Sequence, residues 1–128
     1  MTLKKNQQPT ESELEILQVL WELGPSTVRV VNDILSQKRD IGYTTTLKLM
    51  QIMLEKKLVK RNDKSRTHIY SALANEKDTQ NSLLDKFVNA TFKGSTMKLV
   101  MQALGNQNTS KEELDEIKAL INKIEKEK

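Results

Sequence analysis

Apolar residues recur at helical spacing through most of the chain, and glycine, proline and short polar runs cut that pattern into segments. Leu14, Leu17, Leu20 and Trp21 fall on one face of a first helix, which Thr10 and Glu13 open as a capping box and Gly24-Pro25 stops. Ser26 or Thr27 can cap a second helix, lined on one face by Val28, Val31, Ile34 and Leu35 and ending in the polar run Ser36 to Asp40. Gly42 then turns the chain into a third helix over about Thr45 to Lys57.

On a wheel of this third helix, Leu47, Met50, Leu54 and Leu58 cluster on one side, and Leu49, Ile52 and Met53 cover much of the rest. Thr44, Lys48, Gln51 and Glu55 fall within roughly 60° of one another. A mostly buried helix with one narrow stripe of hydrogen-bonding groups suits a major groove. Any surface helix, however, leaves some polar stripe.

Leu58 to Arg61 are β-prone, Asn62 to Arg66 carry turn chemistry and charge, and Thr67 to Leu73 are β-prone again. The expected hairpin is marginal alone and must pack on the helices, leaving its tip projecting. Lys64 and Arg66 then become candidate phosphate contacts on a wing, against the plainer reading of a solvated turn.

Three more helical segments follow. Asn75 can cap one carrying Leu83, Leu84, Phe87, Val88 and Phe92 on a stripe, broken by Gly94-Ser95. Met97, Val100, Met101 and Leu104 mark the next, which Gly105 should close. Ser110 and Glu113 form a second capping box before Leu114, Ile117, Ile121 and Ile124, with Leu120 beside them. So short a region cannot bury three apolar stripes alone as well as two copies can together. Leu83, Leu84, Phe87, Val88, Leu114, Ile117, Ile121 and Ile124 are therefore expected at a homodimer interface, the alternative being that these helices fold back on the preceding half.

Charge sharpens this division. Residues 1–74 hold 12 Lys and Arg against 8 Asp and Glu, whereas residues 75–128 hold 9 of each. Between Tyr43 and His68 alone there are seven cations (Lys48, Lys56, Lys57, Lys60, Arg61, Lys64, Arg66) and two acids (Glu55, Asp63). A basic half suits a polyanion and a neutral half suits protein. The expectation is a mainly α chain with a small β-hairpin: a winged helix-turn-helix domain over residues 1–74 that binds double-stranded DNA, with Thr44, Lys48 and Gln51 reading bases, and a helical dimerisation region over residues 75–128. A winged helix that docks protein, with no specific DNA binding, is the competing class; a salt-independent interaction with duplex would favour it.

Other chemistry recedes. The absence of cysteine excludes disulfides, thiolate nucleophiles and thiol-based metal sites. His68 is the single histidine, no carboxylate pair flanks a plausible nucleophile, and the glycines form no phosphate loop, so neither catalysis, metal nor cofactor is expected. Trp21 and Tyr70 read as core residues, and Lys123, Lys126 and Lys128 alternate with acids as a solvated face. No apolar run reaches the length of a signal peptide's core or a membrane span, which points to a cytoplasmic protein with no membrane partner.

Leu14-Glu15-Ile16-Leu17 through Leu20-Trp21, Gly42-Tyr43-Thr44-Thr45, Leu54-Glu55-Lys56-Lys57-Leu58-Val59 and His68-Ile69-Tyr70 together resemble the penicillinase-repressor family of winged-helix regulators (BlaI/MecI type), over essentially the whole chain. The resemblance implies a repressor that binds a palindromic operator as a homodimer through its C-terminal helices. It further implies DNA contacts from Thr44, Thr45 and Lys48, steadied by Lys64 and Arg66. It also implies a regulatory protease as partner, since staphylococcal relatives are cut at an Asn-Phe bond in the C-terminal region. The equivalent bond here is Gln102-Ala103, a departure from that pair, and the cysteines of the copper-responsive branch are missing.

Overall fold

The computed structural model describes residues 8–106 and 108–128. Helix α1 (Glu11–Leu23) begins with the expected capping box: the Glu13 N–H donates to Thr10 Oγ1 at 3.2 Å, and the Thr10 N–H donates to the Glu13 carboxylate at 2.9 Å. Thr27, not Ser26, caps α2 (Val28–Ser36), accepting the Val30 N–H. Helix α3 (Tyr43–Glu55) starts two residues before the expected Thr45, with Gly42 as a cap that offers no side-chain acceptor.

The end of α3 is a Schellman turn. Leu58 N–H reaches back to Met53 O at 2.9 Å and Lys57 N–H to Leu54 O at 3.1 Å. Lys57 sits at φ 63, the left-handed region where glycine costs least. The turn aims the chain into β1 (Val59–Asn62), which pairs antiparallel with β2 (Ile69–Ala72), Val59 opposite Ala72 and Asn62 opposite Ile69.

A third extended segment joins this hairpin. Ser26 and Tyr70 exchange both backbone hydrogen bonds, at 2.9 and 2.8 Å, so the α1–α2 connection anchors the wing directly. Sequence patterning missed it, because a one-residue bridge has no periodicity to detect. Trp21 adds a second tie, donating from Nε1 to Ala74 O at 2.9 Å just beyond β2.

Three further helices complete the chain: α4 (Glu76–Phe92), α5 (Thr96–Asn106) and α6 (Lys111–Lys126). Asn75 Oδ1 accepts the Asp78 N–H at the start of α4, and Ser110 caps α6. Helix α5 runs through Gly105, where a stop was expected. A glycine in a final helical turn lowers stability without ending the helix. Mainly α with one two-stranded hairpin is the architecture expected for a winged helix-turn-helix protein with a helical tail.

The chain forms two compact units, one reaching to Leu84 and the other from Asp85 to Lys128. In the first, α1, α2, α3 and the hairpin enclose a core of Ile16, Leu17, Leu20, Val31, Leu35, Met50, Met53, Leu58, Val59 and Tyr70. Trp21 packs against it, half-buried. Helix α3 buries less than its composition suggested. Thr46, Met50 and Met53 point inward, Leu47, Leu49 and Leu54 are half-buried, and Ile52 is exposed.

One ion pair belongs to this core. The Glu13 carboxylate, 2% exposed as a residue, caps α1 and also takes Lys56 Nζ at 2.6 Å; Lys56 Nζ further donates to Gln8 O at 3.0 Å. Lys56, counted from sequence among the charges flanking the wing, thus ties the end of α3 to the start of α1. Removing one member of a buried pair leaves the other charge without its partner. Lys56→Met is therefore expected to lower the unfolding free energy by about 3 kcal/mol, seen as a lower urea midpoint at unchanged slope. The double variant Lys56→Met with Glu13→Gln should recover part of that loss.

Candidate nucleic-acid interface

Three consecutive threonines follow Tyr43 in the first turn of α3, and the structure treats them differently. Thr44 and Thr45 are exposed, together with Lys48 and Gln51, whereas Thr46 is fully buried. Asn32 on α2 decides this. Its Nδ2 donates to Thr46 Oγ1 at 2.8 Å and to Ile41 O at 3.1 Å, and Ser36 Oγ donates to the same carbonyl at 3.2 Å. These bonds join α2, the turn and α3, and with Thr46 turned inward the stripe Thr44, Lys48, Gln51 and Glu55 faces solvent.

The wing tip is built by short-range polar contacts. Asn62 Oδ1 accepts the Lys64 N–H at 3.0 Å, and Ser65 Oγ donates to Thr67 O. Arg61 grips Asp63 with two bonds, Nε to Oδ1 at 2.6 Å and Nη2 to Oδ2 at 3.3 Å. The Asp63 carboxylate first, and Tyr70 behind it, hold the Arg61 guanidinium above its already high ordinary pKa. His68 Nε2 stands 3.8 Å from the same carboxylate. Lys64 and Arg66 project exposed beyond this pairing.

The seven cations counted between Tyr43 and His68 therefore have different tasks. Lys56 and Arg61 are committed to acids within the fold. Lys48, Lys57, Lys60, Lys64 and Arg66 are exposed, with no ion pair among the described residues. Of the two acids in the segment, Asp63 is already held by Arg61, while Glu55 stands exposed on the same stripe as Lys48.

Sequence reasoning missed two residues beside them. Tyr43, the first residue of α3, is exposed, and the Arg29 guanidinium of α2 lies over its ring, 5.5 Å from the centroid. Both line an open cleft of about 490 Å³ between the starts of α2 and α3 and the wing, shared with Arg66 and His68. No periodicity ties Arg29 to Tyr43; only the helix-turn-helix crossing brings them together.

The apolar residues assigned to a dimer lie in both units. Leu84, Phe87, Leu114, Ile121 and Ile124 are exposed, as are Met97, Val100, Met101, Leu104 and Leu120. Leu83 and Ile117 are half-buried and Val88 is buried. Phe87 meets Phe92 edge-on at 5.9 Å between centroids. Gln102 and Ala103 are exposed within α5.

Comparison with known proteins decides the family. The sequence profile described as penicillinase repressor matches residues 9–123. The chain belongs to the penicillinase repressor family. That family is one of transcriptional repressors and not of enzymes. The chain is 21% identical over 119 residues to the methicillin resistance regulatory protein MecI of Mammaliicoccus sciuri, covering 93% of this chain and 97% of the relative. It is 23% identical over 119 residues to the penicillinase repressor of Bacillus licheniformis, covering 93% of each. Over a shorter stretch of 60 residues, 46% of this chain and 44% of the relative, it is 37% identical to the transcriptional regulator BlaI of Mycobacterium tuberculosis. For this member of the penicillinase repressor family, the Asn32 clamp is a measurable constraint. Asn32→Leu strands the buried Thr46 hydroxyl and is expected to cost about 2 kcal/mol in a urea melt. Adding Thr46→Val should cost less than the two single changes summed, a coupling of about 1 kcal/mol in a double-mutant cycle.

Proposed function

We propose that this repressor acts as a homodimer on a palindromic operator in duplex DNA. The observation that carries the reading is the exposed stripe at the head of α3, flanked by wing cations Lys64 and Arg66 with no acid partner among the described residues. In the proposed complex α3 lies in the major groove, where Thr44, Thr45, Lys48 and Gln51 meet base edges and nearby phosphates. Lys64 and Arg66 hold the backbone beside it, supplying affinity that falls as salt rises. A duplex ligand places the protein in the cytoplasm, and among the described residues no helix is long and apolar enough to cross a membrane.

The division of labour proposed is a winged helix over residues 1–74 and dimerising helices over residues 75–128. What supports it is the row of exposed apolar side chains on α5 and α6, an unfavourable surface for a lone chain. Pairing two protomers turns the second half-site contact into an intramolecular event, so operator affinity depends on the dimer. A protease that cuts this region would then relieve repression; at Gln102-Ala103 it would have to accept a pair other than Asn-Phe.

Two measurements test this reading. Lys48→Ala is expected to lose preference for the cognate palindrome by about 1 to 3 kcal/mol per base contact removed, with the dimer intact; fluorescence anisotropy at fixed salt reads it, and equal operator affinity in variant and parent would refute the role. Ile121→Glu should shift the protein to monomer in sedimentation and weaken operator binding by about a hundredfold, the lower end of the gain from linking two sites. A dimer that survives this change with full affinity argues against α6 as the interface.

A further inference from the structure

We infer that Arg29, seated on the ring of Tyr43, clamps a backbone phosphate of duplex DNA together with Arg66. The inference rests on the reading of α3 as the DNA-facing helix, and extends the contact surface to α2, which that reading leaves out. Arg29 and Tyr43 occupy different helices, yet the guanidinium carbon lies 5.5 Å from the ring centroid. A guanidinium lying over an aromatic face keeps its plane while its N–H edge stays available, a geometry suited to two phosphate oxygens. The ring thus orders a long side chain before any ligand arrives, which lowers the entropy lost on binding.

The surroundings match that task. The cleft that Arg29 lines is lined also by Arg66 of the wing, with Thr27, Thr67 and His68 adding polar groups. Among the described residues no aspartate or glutamate lines it. Two arginines facing one open cleft with no acid repel each other and are relieved by an anion. Tyr43, which lines the cleft, directly precedes Thr44 and Thr45 in α3, so a duplex whose groove receives α3 brings its sugar-phosphate strand past this point. A phosphodiester of that strand is the occupant the charge and position select.

Arg29 and Tyr43 are exposed, so both tolerate substitution without unfolding the core. For Arg29→Ala, binding to cognate and scrambled duplexes should weaken alike, by about tenfold at moderate salt, and the slope of log K against log salt should fall by about 0.9 for each bound protomer. Tyr43→Phe keeps the ring and should bind as the parent does; Tyr43→Leu removes the seat and should lose part of what Arg29→Ala loses. Inorganic phosphate, at matched ionic strength, should leave parent affinity unchanged. An unchanged slope in Arg29→Ala, a loss confined to the cognate duplex, or competition by inorganic phosphate would each overturn the clamp while leaving the DNA-binding reading in place. A flat slope for the parent on every duplex would overturn that reading, and the clamp with it.

Discussion

The amide of Asn32 donates from α2 both to the carbonyl of Ile41 and to the hydroxyl of Thr46, at 3.1 and 2.8 Å, and this small network governs what α3 presents. Helix α3 is apolar around most of its circumference, so packing alone would tolerate several rotations about its axis. A buried hydroxyl that needs a partner removes that freedom, because each wrong rotation leaves a polar group unsatisfied in the core. Met50 and Met53, whose flexible side chains fill space adaptably, take up the contacts once the rotation is set. Every exposed group at the head of α3 inherits its position from this choice.

The same logic governs charge. A count along the chain treats Lys56 and Lys48 alike, yet one is drawn against a buried carboxylate and the other stands in solvent. Desolvation separates them: Glu13, placed in the core by its part in the capping box, requires a cation nearby, and the end of α3 delivers one. Arg61 is committed in a milder way, held by Asp63 on the surface of the wing. The field left for a polyanion comes from fewer residues than composition implies: Lys48 on α3, Lys57 and Lys60 where the chain enters β1, and Lys64 and Arg66 at the wing tip.

Anchoring of the wing follows from backbone chemistry. A two-stranded hairpin of four-residue strands has little stability of its own. Here the exchange of hydrogen bonds between Ser26 and Tyr70, the buried Tyr70 ring and the Trp21 bond to Ala74 hold its base against α1 and the α1–α2 connection. The tip remains exposed above a fixed base, so its cations keep a defined distance from α3. The exposed apolar residues of α5 and α6 present the opposite situation, surface that water tolerates poorly.

Local rules in the sequence determined a great deal: the capping box at Thr10, the N-cap at Ser110, the stop at Gly24, the order of helices and hairpin, the polar stripe on α3 and the family resemblance in Leu14 to Tyr70. These depend on neighbours within a turn or two, and such neighbours are visible in a linear string. Tertiary structure alone decided that Thr46 turns inward while Thr44 and Thr45 do not, that Lys56 serves the core, that Ser26 joins the wing, and that Arg29 rests on Tyr43. Each joins residues from different elements, and its energy exists only after the helices have crossed. Before that crossing Thr46 is one threonine of three and Arg29 one cation among 21 Lys and Arg.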